Sequence, residues 1–289
     1  MKKIAVVGTG IMGAGMATNY LKHGYEVRVW NRSPERLGPL IAAGAIAVAT
    51  PKEAAEKSDI VFDVTANDES SRTVWLEGDG ILAGAQKGSV LIASGTFSIP
   101  WTDELAAECA KRGYTHFDIP LTGSRMGAEG GTMILLAGGD KKCFADLEPD
   151  LKPISQKVYY FGKNGSGMRF KLILNMLQAI HVAGLGEALR IATASGMDVQ
   201  AVGAALAERP GGVITNLAWS AYQNPPQQTN FAVKWIDKDL HYAQDFSGAL
   251  PTPLLDGVTK HFDDALERGL AEKDWTSSNN FSDSPQDEE

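Results

Sequence analysis

Several features that mark common classes of protein are scarce in this 289-residue sequence. Its two cysteines, Cys109 and Cys143, lack the CxxC spacing of redox and zinc motifs, so we expect free thiols without a redox or metal role. The net charge is −8 at pH 7, with no basic arm or face in the sequence. Because nucleic-acid phosphates would repel such a chain, we expect no nucleic-acid partner.

Long apolar runs are missing as well. No stretch of 18 apolar residues occurs, and only the four apolar residues from Ile4 to Val7 precede the first glycines. A membrane span needs about 20 apolar residues, and a secretory signal needs a longer apolar segment than this one. The sequence therefore predicts no membrane partner and a cytoplasmic location.

Spacings typical of metal ligands are not seen among the histidines. Zinc sites draw on closely spaced histidines and cysteines, and His23, His116, His241 and His261 show no such spacing with one another or with the cysteines. His181 is more simply a packed or hydrogen-bonded histidine. We therefore expect no metal site.

Glycine, in contrast, is abundant, and its placement is informative. Gly8, Gly10 and Gly13 form a GxGxxG pattern directly after the apolar run, followed by a helical stretch from Ile11 to His23 and a second strand from Glu26 to Asn31. Such glycines permit a tight turn, a close backbone approach to a pyrophosphate and close packing of helix on strand. The sequence thus predicts that a dinucleotide binds at the segment Gly8-Thr9-Gly10-Ile11-Met12-Gly13.

The end of the second strand indicates which dinucleotide. An Asp or Glu at this point would bind the ribose 2′-hydroxyl and repel a 2′-phosphate, but the chain has Asn31, Arg32 and Ser33. A guanidinium with a neighbouring hydroxyl favours NADP(H) over NAD(H). The same residues also fit an ordinary turn in which Ser33 caps a helix that starts at Pro34, and both interpretations can hold together.

Strand and helix patterns alternate through the first half and then give way to helices. This predicts a doubly wound, mostly parallel Rossmann-type α/β domain at 1–163, an all-α domain at 164–275 that begins with a long helix over about 168–195, and a disordered acidic tail at 276–289. Because the long helix is apolar nearly all round, it would join the domains or form a subunit interface. Further strands are expected at 46–48, 60–64, 90–93, 115–119, 133–137 and 158–161, and further helices at 198–208, 213–222, 231–246 and 253–268.

Three later segments of the chain contain polar groups that are candidates for substrate binding and catalysis. After a strand, Thr122, Gly123 and Ser124 offer hydroxyls and backbone amides that suit a substrate carboxylate. Lys171 and Asn175 lie four residues apart and therefore on one helix face. Phe231 and the segment Lys238-Asp239-Leu240 follow on a later helix.

Together with the opening glycine motif, these segments closely resemble the β-hydroxyacid dehydrogenase family, which includes 3-hydroxyisobutyrate dehydrogenases and glyoxylate or succinic semialdehyde reductases. The resemblance runs from Met1 to about Trp275 and comprises four motifs in order. It implies that Lys171 is the catalytic acid/base and Asn175 its partner. It further implies a carboxylate site at Thr122, Gly123 and Ser124, with Phe231 near the substrate, and cofactor contacts at Val64, Thr65, Thr96 and Lys238.

The substrate is less well defined. This chain has Thr122 where many members of the family have serine, and Ser124 where many have a second glycine. Arg125 follows, where its guanidinium would favour an anionic aldehyde or lie on a solvated helix face. The expected substrate is a small carboxylate-bearing aldehyde or hydroxyacid, and the expected assembly is a homodimer or homotetramer.

The chemistry expected of Lys171 follows from hydride transfer. Reduction of an aldehyde leaves charge on oxygen, which a protonated lysine stabilises and then neutralises by giving up its proton. Two alternatives use the same architecture: an imine reductase, which commonly has another proton donor at the lysine position, and a non-catalytic dinucleotide-binding protein. Lys171 argues against both.

Overall fold

A computed structural model describes residues 2–208, 212–249 and 251–279 of the chain. The chain forms two compact units, Met1–Lys171 and Leu172–Glu289. The first unit therefore includes the first six residues of the long helix, because the beginning of this helix packs on the sheet of the first unit. The predicted boundary at 163/164 falls just before this helix.

The first unit is built on one nine-stranded sheet among the described residues. Every strand expected from the sequence is present, and one short strand, β7, was not expected. The strands are β1 Lys3–Val7, β2 Glu26–Trp30, β3 Ile46–Ala47, β4 Ile60–Asp63, β5 Val90–Ala93, β6 Thr115–Asp118, β7 Leu121–Thr122, β8 Met133–Gly139 and β9 Ser155–Gly162.

Strand order confirms the doubly wound Rossmann-type class. The order is β3-β2-β1-β4-β5-β6-β8-β7, and the first six strands of that order pair in parallel. β8 runs antiparallel to β6 and β7 and parallel to β9. The chain reverses direction across the sheet between β1 and β4, which is where ligands bind in open α/β sheets, at the carboxyl ends of the strands.

Helices cover the sheet and supply the rest of the core. Strand residues such as Ile4, Val6 and Phe62 are fully buried because helices lie against the parallel sheet. The helices of this unit are α1 Ile11–Lys22, α2 Gly38–Ala42, α3 Pro51–Glu56, α4 Asp68–Leu76, α5 Ile81–Gly84, α6 Ile99–Lys111, α7 Ser124–Gly130 and α8 Lys141–Leu151, with short 3₁₀ helices at Pro34–Leu37 and Lys152–Ile154.

The regular elements among the described residues of the second unit are all helices, as predicted, apart from one isolated β-bridge between Ala232 and Asp274. The unit consists of α9 Ser166–Ala194, whose first turns belong to the first unit, then α10 Val199–Glu208, α11 Val213–Gln223, α12 Val233–Ser247, α13 Pro253–Glu267 and a 3₁₀ helix at Trp275–Asn279. α10 packs on α11, where a Cβ at Gly203 would lie 2.4 Å from the Trp219 ring. α12 packs on α13.

The expected disordered tail starts too early at 276. Thr276, Ser278 and Asn279 are buried in the final 3₁₀ helix. The Asn279 side chain donates a hydrogen bond to the backbone oxygen of Val182, at 2.7 Å, so this polar segment is fixed by a contact with α9 that its composition does not reveal. Residues 280–289 of the expected tail lie outside the described part of the chain.

The longest helix among the described residues is α9, which spans 29 residues. By length and composition alone it would be able to cross a membrane, and the core helix of a soluble protein meets the same criteria. Leu172, Val182 and Leu185 are buried, whereas Ile173 and Leu177 are about half exposed in the single chain. The expected burial on most sides therefore holds for one face of the helix, and the other face is half exposed in the single chain.

Candidate functional site

The glycine turn lies between the ends of three neighbouring strands. Gly8, with φ of +95°, follows β1, and its amide donates to the backbone oxygen of Trp30 at the end of β2. A Cβ on Gly8 would lie 2.8 Å from the backbone oxygen of Val64, after β4, and a Cβ on Gly13 would lie 2.0 Å from the oxygen of Gly8. Glycine is therefore required at both positions by the fold itself.

Gly10 is different, because its surroundings are open. Apart from Gly10 itself and its two chain neighbours, no atom of the described residues lies within 4 Å of the position that a Cβ would take there, directly before the first residue of α1. The Thr9 and Ser94 hydroxyls are buried without a hydrogen-bond partner in the part of the chain that the structure describes. An open helix N-terminus suits a phosphate, and the two hydroxyls are left for a ligand, so these residues fit a dinucleotide.

The segment after β2 is a closed turn with one exposed cation. Asn31 accepts a hydrogen bond from the Thr9 amide at 3.1 Å and donates to the backbone oxygen of Ser33 at 3.0 Å. Arg32 is exposed beside this turn. The Ser33 hydroxyl makes no capping hydrogen bond to the 3₁₀ helix that begins at Pro34, so the expected cap is not formed. The turn holds Arg32 at the edge where a ribose 2′ substituent lies in this fold.

Two further loops at this edge pack tightly together. A Cβ on Gly95 would lie 2.4 Å from the backbone oxygen of Thr65. Behind them, the fully buried Asp63 accepts hydrogen bonds from the Thr65 amide, the Ser71 hydroxyl and the Trp75 indole, at 2.6–2.8 Å. Burial raises the pKa of Asp63 above its ordinary value. Sequence reasoning missed Asp63, which positions the predicted cofactor residues Val64 and Thr65.

The expected carboxylate loop lies between two short regular elements, the end of β7 and the start of α7. Thr122 ends β7, Gly123 has φ of +130°, and Ser124 has φ of +55° at the start of α7. Ser124 is the sole residue other than glycine with positive φ among those described, and strain of this kind concentrates at functional sites. Arg125 lies 3.4 Å from Glu129 on the same helix, and its side chain is 28% exposed.

α7 exists because it packs closely on α1. The Asn19 side chain of α1 donates to the backbone oxygen of Ala128, at 2.8 Å. A Cβ on Gly15 would lie 2.6 Å from the Ala128 backbone. These long-range contacts stabilise a glycine-rich segment that local propensity leaves as a loop.

The start of α9 is fixed by a buried carboxylate. Asp118, at the end of β6, accepts hydrogen bonds from the amides of Gly165 and Met168, both at 2.7 Å. Burial raises the pKa of Asp118 to about 6, and the two amides lower it in part. A Cβ on Gly167 would lie 2.1 Å from the backbone oxygen of Leu136. This cap and close approach fix the rotation of the helix and therefore the direction in which Lys171 points.

The predicted catalytic pair lies on α9 as expected from its spacing. Lys171 is 9% exposed and Asn175 is 2% exposed. Asn175 donates to Asp239 of α12 at 2.6 Å, and Lys238 also donates to Asp239, at 2.6 Å. Asp239 is 1% exposed. It thus joins two predicted site residues that are 63 positions apart in the chain, 238 minus 175.

The role of Asp239, like those of Asp63 and Asp118, was not predicted from the sequence, although the residue belongs to the segment Lys238-Asp239-Leu240. Its only signal was its position beside Lys238. Phe231, expected near the substrate, lies outside this network: its ring packs edge-on against Trp275 at a centroid distance of 6.1 Å, and its amide lies 3.4 Å from Asp274. The packing of Phe231 accounts for its position without a ligand.

Comparison with known proteins adds to this geometry. Residues 3–162 match the NAD binding domain of 6-phosphogluconate dehydrogenase, and residues 165–280 match the NAD-binding domain of NADP-dependent 3-hydroxyisobutyrate dehydrogenase. The NAD-dependent L-serine dehydrogenase of Pseudomonas aeruginosa is 28% identical, and the match covers 96% of each chain.

Two further relatives are both named 3-hydroxyisobutyrate dehydrogenase. The mitochondrial 3-hydroxyisobutyrate dehydrogenase of Rattus norvegicus is 31% identical over 95% of this chain and 85% of its own. The Mycobacterium tuberculosis 3-hydroxyisobutyrate dehydrogenase, solved with L-serine, has a TM-score of 0.87 and 26% identity, covering 97% of this chain and 98% of its own. This chain therefore belongs to the β-hydroxyacid dehydrogenase family of NAD(P)-dependent oxidoreductases.

Proposed function

We propose that this protein uses NADP(H) to interconvert a small β-hydroxyacid or ω-hydroxyacid and the matching semialdehyde, with Lys171 as the acid/base. The observation that carries the proposal is the placement of Lys171 and Asn175 on one buried face of α9, behind a helix start fixed by Asp118. An amine held in this way provides a proton at one defined point, as general acid/base catalysis requires.

Lys171, Asn175 and the Thr122-Gly123-Ser124 segment have separate roles in the proposed reaction. The nicotinamide, when bound, supplies or accepts a hydride. Lys171 donates a proton to the carbonyl oxygen as the alcohol forms and removes that proton in the oxidation direction. Asn175 is held by Asp239, so its amide is oriented before a substrate arrives. The Thr122-Gly123-Ser124 segment binds the substrate carboxylate through its hydroxyls and amides.

The cofactor preference rests on the turn after β2. Exposed Arg32 pairs with a 2′-phosphate, and no carboxylate occurs at residues 31–33 to repel it. The names of the relatives include both an NAD-dependent and an NADP-dependent enzyme, and the dissociation constants for the two cofactors test the preference. We expect NADPH to bind at least about tenfold more tightly than NADH, and Arg32→Ala to remove most of that difference. Equal dissociation constants in the wild-type chain would contradict the assignment.

The substrate class needs an activity panel. Purified protein is assayed for NADPH oxidation with short aldehydes bearing a carboxylate, and for NADP⁺ reduction with 3-hydroxyisobutyrate and L-serine, the molecules in the names of its relatives. Each aldehyde is paired with the analogue in which an amide replaces the carboxylate. Turnover of the acid and not of the amide supports the proposal.

Two other outcomes would overturn it. Turnover of cyclic imines without turnover of any carboxylate-bearing aldehyde would indicate an imine reductase. Tight NADPH binding without turnover of any compound in the panel would indicate a dinucleotide-binding protein.

A further inference from the structure

The described part of the second unit holds a cluster of metal-ligand side chains that the proposed reaction does not use. Asp237 and His241 lie four residues apart on α12 and therefore on one face, and Asp263 lies on α13, which packs against α12. One potential ligand atom from each residue lies within 4.8 Å of the other two. The cluster is thus drawn together from two helices by the fold.

The imidazole of His241 lies between the two carboxylates, with Nδ1 3.6 Å from Asp237 Oδ2 and Nε2 on the side of Asp263. Its Nδ1 lies 3.0 Å from the backbone oxygen of Asp237. Because a carbonyl oxygen only accepts hydrogen bonds, Nδ1 is the donor in this contact, and in a neutral imidazole the free electron pair is then on Nε2. Nε2 lies 3.6 Å from Asp263 Oδ1, which is too long for a hydrogen bond. Histidines that bind metals usually donate their other ring N–H to a carbonyl or carboxylate in this way.

The carboxylate of Asp237 is a second indication of a ligand, independent of the position of His241. Asp237 is 8% exposed, and its Oδ1 atom is buried without a hydrogen-bond partner among the described residues. A buried carboxylate oxygen that makes no hydrogen bond destabilises a fold. A second carboxylate, Asp263, lies close by and adds like-charge repulsion. A cation bound among the three side chains removes both penalties.

We propose that Asp237, His241 and Asp263 bind one divalent cation of the zinc class, which links α12 to α13. One imidazole with two carboxylates suits zinc and its neighbours, whereas magnesium and calcium prefer oxygen ligands alone. In a tetrahedral zinc site the ligand atoms lie about 3.3 Å apart. The 3.6 Å between His241 Nε2 and Asp263 Oδ1 closes to that value with a small rotation of exposed side chains. Water completes the coordination.

The test is zinc binding by the untagged full-length chain. After treatment with a chelator, the protein is dialysed against ZnCl₂ and bound zinc is counted, while affinity is measured by competition with a chromophoric chelator. We expect one zinc per chain and a zinc-dependent rise in Tm. His241→Ala and Asp263→Asn should each weaken binding at least about tenfold and abolish the rise in Tm. Both side chains are about half exposed, so these variants keep the fold.

The matched control is His181→Ala, which removes another exposed helical histidine of the second unit. It should retain wild-type zinc affinity. Co²⁺ provides a second readout, because a tetrahedral site gives it a strong visible spectrum that the loss of a ligand in His241→Ala should remove. Failure of the wild-type chain to retain zinc would overturn the proposal, and so would equal retention by His241→Ala.

Discussion

The two units place their functional groups in different ways. In the first unit the predicted cofactor contacts are largely backbone groups, exposed by glycines at the ends of adjacent parallel strands. In the second unit the predicted site residues Asn175 and Lys238 would act through their side chains, which both donate hydrogen bonds to Asp239. A backbone site is encoded locally by a short motif, whereas a side-chain site depends on partners that are distant in the sequence.

Removal of Lys171 should have the largest effect, and this effect should be on turnover rather than on cofactor binding. We expect Lys171→Ala to lower turnover by about 10²- to 10⁴-fold, because the proton donor is lost. The dissociation constant for NADPH should change little, since the glycine turn is a separate backbone site. Steady-state kinetics and a binding titration on the same sample measure both. Unchanged turnover would remove Lys171 from the mechanism.

A pair of glycine variants separates the fold of the first unit from its ligand. Gly13→Ala places a Cβ 2.0 Å from the Gly8 oxygen, and we expect a loss of about 3 kcal/mol or more in the free energy of unfolding. Gly10→Ala places its Cβ in open space. It should change stability by less than about 1 kcal/mol and weaken NADPH binding at least about tenfold, because it blocks the approach of the pyrophosphate.

Denaturant unfolding and a cofactor titration on both variants decide this point. If Gly10→Ala bound NADPH as tightly as the wild type, the cofactor would not approach the backbone at Gly10. If Gly13→Ala were as stable as the wild type, the close packing of α1 on the turn would be wrong.

Substitution of Asp239 tests the side-chain network of the second unit. Asp239→Asn keeps the shape but leaves Lys238 without its buried counter-charge, so we expect about 2 kcal/mol of destabilisation. Turnover should also fall while NADPH affinity changes less, since Asn175 loses its orientation. Asp245→Asn, at an exposed carboxylate on the same helix, is the control and should have little effect. Equal effects of the two substitutions on turnover would argue against a positioning role for Asp239.

The smallest expected effect is a pH dependence within the first unit. Burial lowers the pKa of His116 to about 4 and raises that of Asp118 to about 6. As pH falls from about 6.5 to 4, the unfolded chain gains the histidine proton first, which costs up to about 3 kcal/mol of stability. Over nearly the same interval the folded chain gains the Asp118 proton first, which stabilises it by a similar amount. The two effects largely cancel.

His116→Asn should reveal the second effect. Compared with the wild type, its stability should rise more as pH falls from about 6 to 4, because the opposing contribution of His116 is removed while that of Asp118 remains. His23→Gln, at an exposed histidine, should show the wild-type profile. Thermal unfolding across this pH range is the measurement, and parallel profiles for His116→Asn and the wild type would show that His116 is not buried in its neutral form.

Much of the first unit was predictable from sequence because its signals are local. The apolar runs, the GxGxxG spacing and the helix that follows are each recognised within about 30 residues, and all appear in the structure. β7 and α7 were not predicted, because they are stabilised by β8 and by Asn19 of α1 rather than by local propensity. The buried 3₁₀ helix at the end of the described chain escaped prediction for the same reason, since Asn279 is fixed by Val182.

The candidate site also has parts that local sequence predicted and parts that depend on tertiary packing. Helical spacing alone places Lys171 and Asn175 on one face, and the turn chemistry singles out Arg32. The roles of Asp63, Asp118 and Asp239 were not predictable, because a buried carboxylate is recognised by the donors around it. The Asp237 and His241 pair was overlooked because its third member, Asp263, comes from another helix.

The sequence by itself determined the class of fold, the dinucleotide turn and the lysine helix, because each depends on short-range periodicity and on the backbone freedom of glycine. Only the tertiary structure decided which carboxylates fix these parts. A carboxylate in the sequence is an ordinary surface residue until the fold buries it among amides, an indole or a lysine. The physical reason is that burial and hydrogen-bond partners are properties of packing between elements, and these give Asp118 and Asp239 their positioning roles.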